Sequence, residues 1–274
     1  MRCPRICTTI RATIKVMFPI RDHNPSGRVP FVTYGLIGIN VLIFLYTFYL
    51  STKGDVFLVD FYGDWAMQPV EIMDGTDMHT LITSMFLHGG WMHLIGNMLF
   101  LYVFGDNLEG RLHHLGFLAF YIIGGLAATG VQLYFNQESE IFNIGASGAI
   151  AAVLGGYILL WPKAKIDVMV TLIYIMRRMS LPAWIMLGYW FGLQLFQSFA
   201  SLGATEDVGG VAYWAHAGGF VAGLLMIIPF WLMGKGKSPT MSPKPGGPVR
   251  VKSHTRKTPS NVSSGNPFND LFKR

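Results

Sequence analysis

Charge is what this chain has least of. Aspartate, glutamate, lysine and arginine make up 13% of its 274 residues, about half the share found in an ordinary soluble domain. Hydrophobic residues account for 51%, and the mean hydropathy is +0.41. A water-facing globule of that composition would expose large apolar patches, so the solvent implied is a bilayer. Cysteine is nearly absent. Cys3 and Cys7 alone make a disulfide framework untenable and fall two ligands short of a tetrahedral metal site. Residues 1–16 are basic and acid-free and lack the continuous apolar run of a secretory signal. They read as a short basic arm, an organelle transit peptide or sequence upstream of a start at Met17, the last being preferred. No internal repeat of the kind used by transporters is visible.

What is present is a set of six apolar segments: Pro30–Leu50, Trp91–Phe104, Leu115–Phe135, Gly145–Trp161, Leu181–Phe199 and Val211–Met233. A spanning helix needs ~20 such residues. The second segment is short, which predicts a helix starting below the membrane surface, preceded over 81–90 by irregular backbone shielded by protein. Six spans put both termini on one side. Lysine and arginine choose the side, because cationic loops are retained in the cytoplasm. With the termini inside, every basic residue except Lys53 is cytoplasmic, while Asp55, Asp60, Asp64, Glu71, Glu138, Glu140, Glu206 and Asp207 gather outside.

The fold class expected is therefore an all-α membrane protein with six transmembrane helices and cytoplasmic N- and C-termini. Residues 1–28 form a basic cytoplasmic arm, 29–233 the membrane domain, and 234–274 a disordered basic tail rich in Pro, Gly, Ser and Lys. The pI near 9.3 follows from this topology and favours anionic inner-leaflet lipids, with no nucleic-acid partner expected. A bacterial inner membrane is preferred to an organelle membrane. Val168–Met176 is too short to span and is expected to be an interfacial link, with Pro182 opening the fifth span. Gly188 with Gly192, Gly219 with Gly223, and Gly148 with Gly155 and Gly156 have the spacing of close helix packing.

Polar groups inside a membrane are expensive, so their positions carry information. His93 and Asn97 lie four apart, on one helical face at the start of span two. Ser147 starts span four within Gly145-Ala146-Ser147-Gly148, and His216 lies near the start of span six. These three spans run in the same direction, which puts all three sites at one depth near the outer surface. A serine hydroxyl becomes nucleophilic when an imidazole accepts its proton. His93, Asn97 and the Ser147 backbone N–H are suited to stabilising an oxyanion, and Gly145 and Gly148 leave room for a substrate backbone. Each residue also has a plainer reading: Ser147 as helix-packing glue, His216 and Asn97 as partners of carbonyls, His88 as a loop residue bracing the site. No Asp or Glu lies in any span. A two-aspartate protease is thereby excluded and a Ser/His dyad favoured over a triad. His88 and His93 are five apart without an intervening Glu, which argues against a His-Glu-x-x-His zinc site; neither a metal nor another cofactor is expected. The bulky fifth span (Trp184, Trp190, Phe191, Phe196, Phe199) and the loop Ser201–Gly210 are predicted to gate the site.

These motifs resemble those of the rhomboid family of intramembrane serine proteases, over roughly Met17 to Met233. They are His88-x4-His93-x3-Asn97, Gly145-x-Ser147-Gly148, and Ala215-His216-x2-Gly219-x3-Gly223, with Glu109-x-Arg111 in an inner loop. The resemblance implies a six-helix rhomboid-like bundle that cleaves transmembrane segments of single-span membrane proteins near their outer ends, without a cofactor. It makes Ser147 the nucleophile, His216 the base, and His93 and Asn97 the oxyanion donors. Two positions depart from the family pattern. Ala151 stands where some members carry an aromatic residue that packs on the catalytic histidine, and His79-Thr80 replaces a Trp-Arg pair of the outer loop. The alternative reading is a non-catalytic protein that binds or escorts transmembrane helices; a transporter is a third.

Overall fold

The computed structural model describes residues 14–24, 26–172, 175–201 and 212–234, and over them the chain is mostly helical. Helix α1 spans Phe31–Ser51. A run of short elements follows: α2 (Asp55–Trp65), α3 (Pro69–Met73), α4 (Thr80–Thr83) and a 3₁₀ turn at Ser84–Phe86. Then come α5 (Trp91–Phe135), α6 (Ser147–Leu160), α7 (Ala183–Ser201), α8 (Tyr213–Met226) and α9 (Ile228–Gly234). Among the described residues, three helical stretches, Phe31–Ser51, Trp91–Phe135 and Tyr213–Gly234, are long and apolar enough to cross a membrane, and Ser147–Leu160 is apolar but shorter.

Unbroken, the 45 residues of α5 would extend about 67 Å at ~1.5 Å per residue, twice a hydrocarbon core. The backbone instead breaks at His113, with φ 62° and ψ 167°, dividing α5 into two span-length halves. Arg28 Nη1 reaches His113 Nδ1 at 2.9 Å. The turn before the break ties distant helices together. Glu109 accepts the Val32 N–H at 2.9 Å, the Thr33 N–H at 2.8 Å and the Thr33 hydroxyl at 2.7 Å. It thereby caps an α1 N-terminus that has no side-chain cap of its own. Arg111 Nη2 donates to the Phe230 carbonyl of α9 at 2.6 Å.

The core is built from α5, α6 and α8, with Leu101, Phe104, Phe117, Tyr121, Leu154 and Tyr157 wholly buried. Helices α6 and α8 run parallel at very close range. A methyl on Gly219 would run into the Gly148 carbonyl, one on Gly223 into the Ala152 carbonyl, and one on Gly155 into the Phe220 carbonyl. This is the close approach expected of small residues in lipid. At Gly188 and Gly192 that expectation fails, because an added Cβ on either would meet nothing within 4 Å.

The all-helical expectation also needs correction. Residues Ile14–Asp22 (β1), Lys165–Leu172 (β2) and Ile175–Pro182 (β3) form an antiparallel sheet in the order β1-β2-β3. The segment expected to be an interfacial link is thus a hairpin, and part of the basic arm is a strand that begins upstream of Met17. Pro182 closes β3 instead of opening the fifth span. Ile166, Val168 and Val170 alternate toward the buried side. On the other face Asp167 receives hydrogen bonds from the Arg178 guanidinium and the Ser180 hydroxyl, and pairs with His23 at 2.9 Å. Past Gly234, the segment expected to be a tail lies outside the described residues, as do residues 202–210 of the expected gating loop.

Candidate active site

Gly145 enters α6 with φ +129°, a backbone conformation that side-chain-bearing residues rarely adopt. Space demands glycine as well, since a Cβ there would sit 2.8 Å from His93 Nε2 and 3.6 Å from Ser147 Oγ. The Gly145 N–H donates to the Ser84 carbonyl at 2.9 Å, pinning the approach to α6 against the 3₁₀ turn. Ser147 is the first residue of α6, and His216 lies in the first turn of α8. The two helices are parallel and held in register by Gly148 against Gly219 and by Ala152 against Gly223, so their first turns are level. His216 Nε2 and Ser147 Oγ are 2.8 Å apart.

The other ring nitrogen has a partner too. His216 Nδ1 lies 2.7 Å from Gln194 Oε1 of α7. An amide oxygen only accepts, so this pairing suits an imidazole protonated at Nδ1, whose Nε2 lone pair is left for the serine hydroxyl. Trp190, one turn earlier on α7, places its ring 6.0 Å from the imidazole at 38°. Ala151 thus offers the imidazole no ring, whereas α7 places one beside it. Ala151 is itself buried, and a Cβ on Gly219 would lie 3.2 Å from its methyl.

His93 and Asn97 share one face of α5, His93 flanking Gly145 and Ser147. The Asn97 side chain is buried with Nδ2 unpartnered, a free donor held in the protein. The Gly89 N–H points to His93 Nδ1 at 3.4 Å, and the buried His88 ring packs edge-on against His93, centroids 5.0 Å apart. Gly148 serves helix packing, since a Cβ there would sit 2.8 Å from Ala128. Beside Ser147 is a cavity of about 40 Å³ whose lining includes Ser84, Thr129, Gln132, Asn143, Gly148 and Ala215, room and polarity enough for water. Gln132 Oε1 accepts the Ala215 N–H at 3.2 Å, joining α5 to the start of α8. Between α1 and α5, His79 Nε2 donates to the Asp64 carbonyl at 2.8 Å and packs on Trp65, a structural tie between α2 and α4. Among the described residues no cluster of three or more His, Cys, Asp or Glu could hold a metal. Gln194 and Gln132 were not among the residues singled out from sequence, although a glutamine inside an apolar span is itself a signal.

Residues 75–232 match the Rhomboid domain, more than half of the chain. The protein belongs to the rhomboid family. This rhomboid protein, a multi-pass integral membrane protein, is 26% identical to Rhomboid protease AarA of Providencia stuartii over 231 residues, covering 74% of this chain and 73% of the relative. It is 26% identical to RHOMBOID-like protein 5 of Arabidopsis thaliana over 166 residues, 50% of this chain and 54% of the relative. Its identity with Rhomboid protein 1, mitochondrial, of Saccharomyces cerevisiae is 29% over 154 residues, 55% of this chain and 41% of the relative. The chain thus spans about half or less of the plant and yeast relatives. The relatives include proteins named as proteases and others named only rhomboid-like.

Proposed function

We propose that this rhomboid protein is a serine endopeptidase that cleaves transmembrane segments of single-span membrane proteins near the outer leaflet. Ser147 is the nucleophile and His216 the base. The observation that carries the reading is the 2.8 Å separation of His216 Nε2 and Ser147 Oγ, within reach for proton transfer. The hydroxyl oxygen attacks the scissile carbonyl carbon while its proton passes to Nε2. The resulting oxyanion is met by the Ser147 N–H, His93 and the Asn97 amide. As the C–N bond breaks, His216 returns the proton to the leaving amine. Water then adds to the acyl-serine ester, giving its proton to His216, and the ester bond to Ser147 breaks with reprotonation of the hydroxyl. Gly145 and His88 support this arrangement from either side of His93.

The surrounding architecture is read as six spans, with α5 contributing two, in a membrane domain over 29–233 with both termini cytoplasmic. Substrate and lipid reach the site past α7, whose outer surface exposes Trp184, Phe196 and Phe199. The compartment proposed is the bacterial inner membrane, with an organelle membrane as the alternative.

The test is cleavage of a labelled single-span substrate by the purified full-length chain in liposomes. Wild-type protein yields a product that Ser147→Ala does not. Product formation by Ser147→Ala would remove the mechanism, and substrate capture without any wild-type product would favour a helix-binding protein.

A further inference from the structure

A neutral imidazole has one N–H and one lone pair, and a base must keep the lone pair on the nitrogen that faces its nucleophile. With the proton on Nε2, His216 would point an N–H at Ser147 and have nothing to accept with. Nothing on α6 selects between the tautomers, since Ala151 offers neither ring nor polar atom. The selection comes from α7, where Gln194, only 9% exposed, directs its carbonyl oxygen at Nδ1. A glutamine in an apolar span is costly unless its polar atoms are used, and here the use is visible.

We infer that Gln194 is a positioning residue for His216: its amide oxygen fixes the tautomer whose Nε2 lone pair faces Ser147. This rests on the proteolytic reading of the same site. Trp190, one helical turn from Gln194, restricts the ring from its flank, so both orienting contacts arrive from a single helix. The dyad is therefore competent only while α7 is seated against α8 within hydrogen-bond reach.

Two substitutions separate orientation from packing. Gln194→Met keeps the length and bulk but removes the acceptor, whereas Gln194→Glu keeps an acceptor for the Nδ1–H. Fluorophosphonate labelling of Ser147 in the full-length detergent-solubilised protein, mapped by mass spectrometry, reads the dyad without a peptide substrate. Gln194→Met is expected to slow labelling about 10²-fold, the low end of what a general base contributes, and to lower kcat with KM unchanged. Gln194→Glu is expected to keep most of the wild-type rate. In histidine-¹⁵N-labelled wild-type protein, the His216 shifts are expected to be those of the Nδ1–H tautomer. Wild-type labelling rates in Gln194→Met, or an Nε2–H tautomer in the wild type, overturn the assignment, and the tautomer measurement needs no variant to fold. A wild-type protein that shows the Nδ1–H tautomer but neither labels at Ser147 nor cleaves a substrate overturns the proteolytic reading instead, and with it the purpose assigned to Gln194.

Discussion

Gly223 of α8 rests directly on the backbone carbonyl of Ala152 in α6. Together with Gly219 on Gly148, this contact sets the register between two parallel helices and hence the separation of Ser147 and His216. Enlarging Gly223 should act at a distance on the dyad. Gly223→Val is expected to lower turnover about 10²-fold, as an ångström-scale misplacement can, together with a lower thermal midpoint. Gly192→Ala, where nothing lies within 4 Å, is expected to leave both unchanged. Normal activity in Gly223→Val would mean that register is fixed elsewhere.

Ser147 and His216 are proposed to work as one unit, so their losses should not add. Ser147→Ala, His216→Ala and the double variant are each expected to fall to the same residual rate. Turnover of a labelled transmembrane substrate measures this. A double variant far below both singles would indicate independent roles.

Removing one oxyanion donor typically costs about 10²- to 10³-fold in kcat. Asn97→Ala is expected to fall in that range with little change in KM, because the donation develops only as charge forms on the substrate oxygen. His93→Ala should behave similarly. A variant whose KM rises while kcat holds would assign the residue to substrate binding instead.

The sheet offers a pH test outside the long apolar helices. Hydrogen bonds from the Ser180 hydroxyl, the Arg178 guanidinium and His23 hold the Asp167 carboxyl well below its ordinary value of 3.8, against the opposing effect of burial. A depressed folded-state pKa stabilises the sheet above the ordinary carboxylate range, and that contribution is lost as pH falls from there toward the folded value. The protection of the β2 amides, expressed relative to their intrinsic exchange rate at each pH, should therefore be steady between about pH 7 and pH 5 and fall below about pH 4. Asp167→Asn should exchange faster at neutral pH and lose most of the acid dependence. An unchanged acid response in Asp167→Asn would transfer the effect to another carboxylate.

How much of this was legible in the sequence depends on the range of the interaction concerned. The Ser147, His216 and His93 neighbourhood was readable because each motif sits at a helix start and charge segregation levels those starts. Gln194 carries no motif signal, because the usual orienting partner of a histidine base is a carboxylate, yet a neutral amide oxygen suits a site where a buried charge is expensive. The sheet was invisible for a different reason. Val168–Met176 is a short apolar run whose strand identity depends on β1, far away along the chain, and periodicity alone does not separate such a run from helix. Gly188 and Gly192 match the small-residue spacing of Gly219 and Gly223, but spacing does not say which face of a helix meets a neighbour.

Strand β1 pairs with β2, a segment synthesised only after α1 through α6. During translation the early strand therefore waits without a mate, its backbone groups open to any other edge it meets. Joining the two closes a very long loop, a non-local contact expected to form only after α1 through α6 are in place. Deleting β1 would leave the hairpin with a second bare edge, so the first harm should appear as aggregation during biogenesis, before any change in catalytic competence.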